Sequence, residues 1–194
     1  MSRENKACLA DRMMAGDTSA FRDLVEAYKK RVYGLAYEMT RNHADAEDVS
    51  QIAFMKVFKS IGTLKPDCGL NAWLYRIVYN TALDHLRKKP FFPKAAAPAP
   101  AALFSDPPDP SLGPEKAAEF AFLRRRIDDA LAKISERERA AFVLRHYHDL
   151  NLKEIAETLG ITLGSAKSYL FRSIRKLQKE LAGVGLCLDK GDLL

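Results

Sequence analysis

Cysteine is scarce in this 194-residue chain: Cys8, Cys68 and Cys187 stand far apart with no CxxC pair. That spacing suggests neither a disulfide framework nor a thiolate zinc site, and it suits a reducing cytoplasm. His146 and His148 are close in sequence, but two positions along a helix turn side chains about 200° apart, so no metal is expected. No apolar run approaches the ~20 residues of a membrane span, and the opening MSRENKACLADRMMAGD has no continuous apolar stretch. The chain is therefore expected to be soluble and cytoplasmic, without stable membrane insertion. Sustained strand-type alternation is missing as well. So are a nucleophile triad, a general acid/base pair, a GxxxxGK[ST] loop and a dinucleotide fingerprint, so no catalytic residue and no cofactor is expected.

What is present begins with a 47% apolar content, enough to bury cores, and a net charge of +6 that suits a polyanion-binding protein without requiring one. Eight of the nine prolines fall between Pro90 and Pro114, mixed with alanine. Proline removes backbone donors and fixes φ, so this stretch reads as an extended linker. Apolar residues on either side recur at helical spacing, which predicts an all-α fold of two small helical domains. The expected division is residues 1–90, a Pro/Ala-rich linker over 91–114, a second domain over 115–182, and a tail over 183–194 to which no role is assigned. Helices are predicted near 4–15, 18–40, 44–60 and 71–88, then near 115–132, 136–147, 152–159 and 163–181. Asp17 or Thr18 can cap the second of these, and Ser135 with Glu138 forms a capping-box pattern. Asn151 and Gly160 bracket the short seventh helix.

Three surfaces could carry function. The last two helices, LKEIAETLG and LGSAKSYLFRSIRKLQKEL, form a helix-turn-helix candidate. Ala166, Leu170, Ile174, Leu177 and Leu181 fall within about 80° on a helical wheel, with Ser165, Ser168, Arg172, Arg175, Lys176 and Lys179 on the other side. Five cations against Glu180 concentrate charge on this element. Lys and Arg can reach guanine acceptors or phosphates in a major groove, although a solvated amphipathic helix would show the same wheel. In the third helix Val49, Ile52, Ala53 and Val57 form the apolar stripe, while Glu47, Gln51, Phe54 and Phe58 line up opposite it. That second face suits docking to a basic amphipathic partner, unless Phe54 or Phe58 packs in the domain's own core. In the fourth, Trp73, Arg76, Asn80, Asp84 and Arg87 share a face that could stack unpaired bases and hold their phosphates; Trp73 as a core anchor is the competing reading. His85 lies on the apolar side as a packed residue.

The segments GDTSAFRDLVEAY, NHADAEDVSQIAFMKVF, NAWLYRIVYNTALDHLRK and LKEIAETLGITLGSAKSYLFRSIRKL, in this order and around a variable linker, resemble the extracytoplasmic-function (ECF) sigma factors of the sigma-70 superfamily. The resemblance implies two helical domains, region 2 and region 4. Region 2 would bind the clamp helices of the polymerase β′ subunit and open the −10 promoter element. Region 4 would dock on the β flap and read the −35 element. Carried over by position, Asp45, Glu47, Asp48, Gln51 and Phe54 match the clamp-binding helix. The loop from Leu64 to Leu70, with Lys65 and Asp67, matches the segment that captures a flipped base, and Trp73, Arg76 and Asn80 match the helix beneath it. Arg145, Ser165, Lys167, Ser168, Tyr169 and Arg172 match the −35 surface. Tyr169 stands where the family commonly has a basic residue. The implied partners are core RNA polymerase, promoter DNA and an anti-sigma factor; the alternative is a stand-alone helix-turn-helix regulator that binds duplex DNA.

Overall fold

A computed structural model describes residues 3–64, 69–88 and 113–181. Lys65, Asp67, Cys68, most of the proline-rich stretch and the tail lie outside the described residues. Among those described there are eight α-helices, a short 3-10 turn at Ile61–Thr63, and no strand. The helices are α1 (Arg3–Met14), α2 (Thr18–Thr40), α3 (His43–Ser60), α4 (Leu70–Lys88), α5 (Pro114–Lys133), α6 (Glu136–His146), α7 (Leu152–Leu159) and α8 (Leu163–Leu181).

Local chemistry sets most of the boundaries. Asp17 caps α2, its carboxylate accepting from Ser19 N at 2.9 Å, and Arg12 of α1 reaches the same carboxylate and Asp23. These contacts hold the Asp17 carboxyl at about 2, first through the Ser19 hydroxyl and then through Arg12. Arg41 in the left-handed region (φ 53°) closes α2, and Asn42 starts α3 by accepting from Asp45 N at 3.1 Å. Asn151 and Glu154 form a reciprocal capping box at the start of α7, with bonds of 3.0 and 2.8 Å. Gly160, at φ 64°, supplies the left-handed residue that ends α7 and turns the chain into α8.

Packing follows the stripes predicted for the third and last helices with one correction. Leu24, Val32, Leu35 and Ala36 of α2 meet Val49, Ala53 and Val57 of α3 and Leu74 and Val78 of α4, all fully buried. Each buried leucine contributes roughly 1.5–3 kcal/mol by leaving water. Ile52, assigned from sequence to the α3 stripe, is instead 41% exposed, because Ala46, Val49, Ser50, Ala53 and Val57 already fill the inward arc. Phe122 of α5 is also exposed. The C-terminal end of that helix supplies the core contacts, where Ala130, Leu131 and the following Ile134 pack on Phe142 and Leu177.

The two halves of the chain do not sit apart. One apolar cluster runs from α1–α4 into Ala140, Ala141, Val143, Leu144, Leu150, Ile155, Ala156 and Ala166. α4 packs on α7, and α2 packs on α6. At this seam the ring of His148, in the α6–α7 turn, packs against Tyr75 of α4 with centroids 4.6 Å apart and planes tilted by 48°, and Thr158 Oγ1 donates to Ala72 O at 3.3 Å.

Candidate functional site

The described fold leaves three polar surfaces outside its core. The first is the outward arc of α3. Glu47, Asp48 and Gln51 are exposed at its N-terminal end, and Phe54 is half-buried against the core. Further along, Ile52, Met55 (59%) and Phe58 (55%) are exposed, with Phe58 edge-on to Phe21 at 5.0 Å. The surface therefore grades along one helix from acidic groups to apolar side chains that stand beside exposed Lys59. Asp45 does not belong to it. Its side chain is 3% exposed and its Oδ1 lies 3.3 Å from His85 Nε2, so it ties α3 to α4. Its place in the first turn of α3 turns it inward toward His85, where sequence matching alone had placed it with the exposed acids. Ile52 and Met55 were missed as surface residues; their signal was that neither position is needed to complete the buried stripe.

The second surface runs along α4. Arg76 and Asn80 are exposed, as are Arg87 and Lys88 at its C-terminal end. Trp73 is only 8% exposed and Leu64 is equally buried, so in this arrangement both belong to the core. The competing reading of Trp73 as a core anchor is the one the packing favours. Tyr28 OH donates to Asn71 Oδ1 at 2.6 Å, fixing the start of the helix.

The third is the helix-turn-helix. Thr162 sits before α8, where its Oγ1 accepts from Ser165 N at 3.2 Å and shares a 2.9 Å hydroxyl contact with Ser165 Oγ. Thr162 thus caps α8, and Ser165, whose N–H it accepts from, is half-buried. Lys167, Ser168 and Arg172 are exposed, and Phe171 is exposed by 65% on the same face. Tyr169 is half-buried: its hydroxyl lies 3.4 Å from Arg137 Nη1, and the Arg172 guanidinium stands 5.3 Å over its ring. Arg145 is half-buried and donates to Leu150 O at 3.3 Å, which bridges the α6–α7 turn. Phe171 was the residue the sequence reading missed. Positions 167, 168, 171, 172 and 175 share one helical face, and a phenyl among cations is a recognisable signal.

A buried carboxylate anchors this recognition helix. Glu138 of α6 is 3% exposed, accepts from Ser135 N at 3.2 Å and pairs with Lys176 of α8 at 2.7 Å. Burial alone would raise its pKa, yet Lys176 and Ser135 more than offset that and hold it below the ordinary value. The pair fixes the roll of α8, and with it the direction in which Lys167, Phe171 and Arg172 point. No group of three metal-ligating side chains occurs among the described residues.

Comparison with known proteins bears on these surfaces. Residues 24–90 match Sigma-70 region 2 and residues 124–177 match Sigma-70, region 4. The chain is 32% identical to the ECF RNA polymerase sigma factor SigW of Bacillus subtilis, across 86% of this chain and 91% of that protein. It is 30% identical to the RNA polymerase sigma-H factor of Pseudomonas aeruginosa, across 93% of this chain and 96% of that one. The sigma factor RpoE of Bartonella quintana, solved with the anti-sigma factor NepR, shares the fold with a TM-score of 0.64. That likeness has 22% identity and covers 84% of this chain and 96% of that one. The matches, which reach both halves in the order found here, and a capped helix-turn-helix with a cationic face make the chain a member of the ECF class of the sigma-70 family, an RNA polymerase sigma factor that directs promoter-specific initiation.

Proposed function

We propose that the chain divides its work between two units, residues 1–90 acting as region 2 and residues 115–182 as region 4, with 91–114 as their linker. The α3 arc carries polymerase binding: Glu47, Asp48 and Gln51 meet cations on the β′ clamp helices, and Ile52, Phe54, Met55 and Phe58 supply apolar area. A gradient from charge to exposed phenyl and thioether suits such a partner, because the charges steer encounter while the apolar groups hold the complex. Asp45 is left out of this set by its burial against His85.

Arg76 and Asn80, with the loop that contains Lys65 and Asp67, engage the opened −10 element. Pulling a base from the stack costs a few kcal/mol, which contacts in this loop must offset. Lys167, Ser168 and Arg172 read the −35 element, and Phe171 adds an apolar contact of the kind a thymine methyl accepts. Arg145, Ser165 and Tyr169 shape that surface through the bonds described above. The protein acts by binding and positioning and has no reaction of its own. It works in the cytoplasm, where polymerase and promoter are found; among the described residues no helix is long and apolar enough to cross a membrane. An anti-sigma factor is the expected protein inhibitor, as RpoE of Bartonella quintana is seen with NepR.

The observation that carries this reading is the exposed Lys167, Ser168, Phe171 and Arg172 face on a helix whose roll is fixed by Glu138 and Lys176. It is tested by transcription in vitro with purified core polymerase on a genomic fragment library. Lys167→Ala and Arg172→Ala are each expected to weaken promoter-dependent initiation by about 1–3 kcal/mol per lost base contact while core binding persists. Loss of core binding in those variants, or sequence-specific duplex binding of equal strength without polymerase, would overturn it.

A further inference from the structure

We propose that the chain latches shut on itself through the α6–α7 turn, that the closed form withholds promoter reading, and that protonation of His148 releases the latch. The geometry is that of the seam. Positions 69, 72 and 75 follow one side of α4 and its start; the second half of the chain approaches exposed Gly69 and lies against buried Ala72 and Tyr75. A Cβ placed on Gly69 would lie 3.6 Å from Glu154 Oε1 of α7. The Ala72 carbonyl accepts from Thr158 of α7. The Tyr75 ring carries the His148 ring. Glu154, an acid, therefore stands beside the end of the loop that would hold a DNA strand.

Closure also limits reach. Elements centred near −10 and −35 lie about 25 base pairs apart, or roughly 85 Å along duplex DNA at about 3.4 Å per step. A compact chain of this length has a radius of gyration near ~16 Å, so it is roughly 42 Å across. The closed form cannot touch both elements. The stretch 91–114, fully extended, could span about 80 Å, so an open chain can. That closure blocks promoter reading rests on the residue roles proposed above, whereas the opening itself can be measured without a promoter.

His148 suits the part of a release. It is 2% exposed, and neither Nδ1 nor Nε2 has a hydrogen-bond partner. Its surroundings are the Tyr75 phenol of α4, with Tyr28 of α2 edge-on to that ring, and the guanidinium of Arg31 on α2. Asp149 in its own turn is exposed. Burial first, and then Arg31, push His148 down to about 3, so the closed form holds it neutral. Opening would return the ring to water and to its ordinary value near ~6.5. The sign follows: with the closed-state pKa depressed, the latch is intact above about 6.5 and weakens as pH falls. The closed-to-open ratio should drop about tenfold from pH 7.5 to 5.5, and nearly a hundredfold by pH 4.5.

Small-angle X-ray scattering of the full-length protein tests this, with helicity followed by circular dichroism. The wild-type radius of gyration is expected to grow between pH 7.5 and 4.5 with helicity retained. His148→Phe, which keeps a ring on Tyr75 but cannot take a proton, should stay compact throughout. His148→Lys should be expanded already at pH 7.5. A flat wild-type curve, an equal expansion in His148→Phe, or a helical His148→Lys protein that stays compact would each overturn the latch. If His148→Lys loses its helicity, the wild-type and His148→Phe pair decides alone.

Discussion

Asp45 and Asp48 lie three positions apart on α3, and the structure expects opposite consequences from mutating them. Asp45 is buried against His85, which is itself only 16% exposed. Asp45→Ala removes a contact between a carboxylate and a ring nitrogen and leaves a polar ring facing an apolar gap. Contacts to charged groups contribute roughly 1.5–3 kcal/mol, so a loss of about 2 kcal/mol is expected. For a chain of this size that lowers the melting temperature by about 4–8 °C. Asp48 is exposed and has no ion pair among the described residues, so Asp48→Arg should change stability by less than ~0.5 kcal/mol. Reversing its charge on a surface that meets cations should weaken holoenzyme assembly by roughly 2 kcal/mol or more, about thirtyfold. Thermal unfolding by circular dichroism and fluorescence anisotropy against labelled core polymerase measure the two effects separately. The reasoning fails if Asp45→Ala melts within a degree of wild type yet loses core binding, since its carboxylate would then reach the partner directly. It fails equally if Asp48→Arg assembles undiminished.

Phe171→Ala should weaken binding of holoenzyme to its −35 element by about 1–2 kcal/mol with unchanged core affinity, read by competition between promoter fragments; an unchanged affinity would remove the phenyl from the reading surface. Gly160→Ala has nothing within 4 Å for its methyl to strike, so its cost is the left-handed backbone alone, about 1 kcal/mol in denaturant unfolding. A cost above about 3 kcal/mol would mean that the turn is crowded. Lys176→Ala should destabilise the second half of the chain by about 1 kcal/mol near neutrality, discounted for the half-exposed lysine. Because Glu138 is depressed below 4.5, that difference is present above this pH and vanishes as pH falls through the lowered value. A difference that grew in acid would reverse the assignment.

Much of this architecture was legible one residue at a time. Helix spacing and the Asn151 and Gly160 boundaries are local properties, determined by propensity, capping and backbone sterics. The basic face of α8 was equally visible, because a wheel needs only the order of residues. What spacing could not decide was which side of a mixed helix turns inward. Asp45 and Trp73 were matched to working surfaces, and each proved buried; Ile52 was matched to the core and proved exposed. Those outcomes depend on neighbours distant in sequence. Asp45 goes inward because His85, forty positions away, stands opposite it. Trp73 is covered because α4 is enclosed by α2, α3 and α7. The seam between the halves had no local signature at all. Tyr75 and His148 are ordinary residues on their own helix and turn, and a linker says that two units are joined without saying whether they touch. Only three-dimensional packing brought the rings to 4.6 Å and left the imidazole without a hydrogen-bond partner. Periodicity measures a chain against itself, whereas burial is set by whatever the rest of the chain brings to that place.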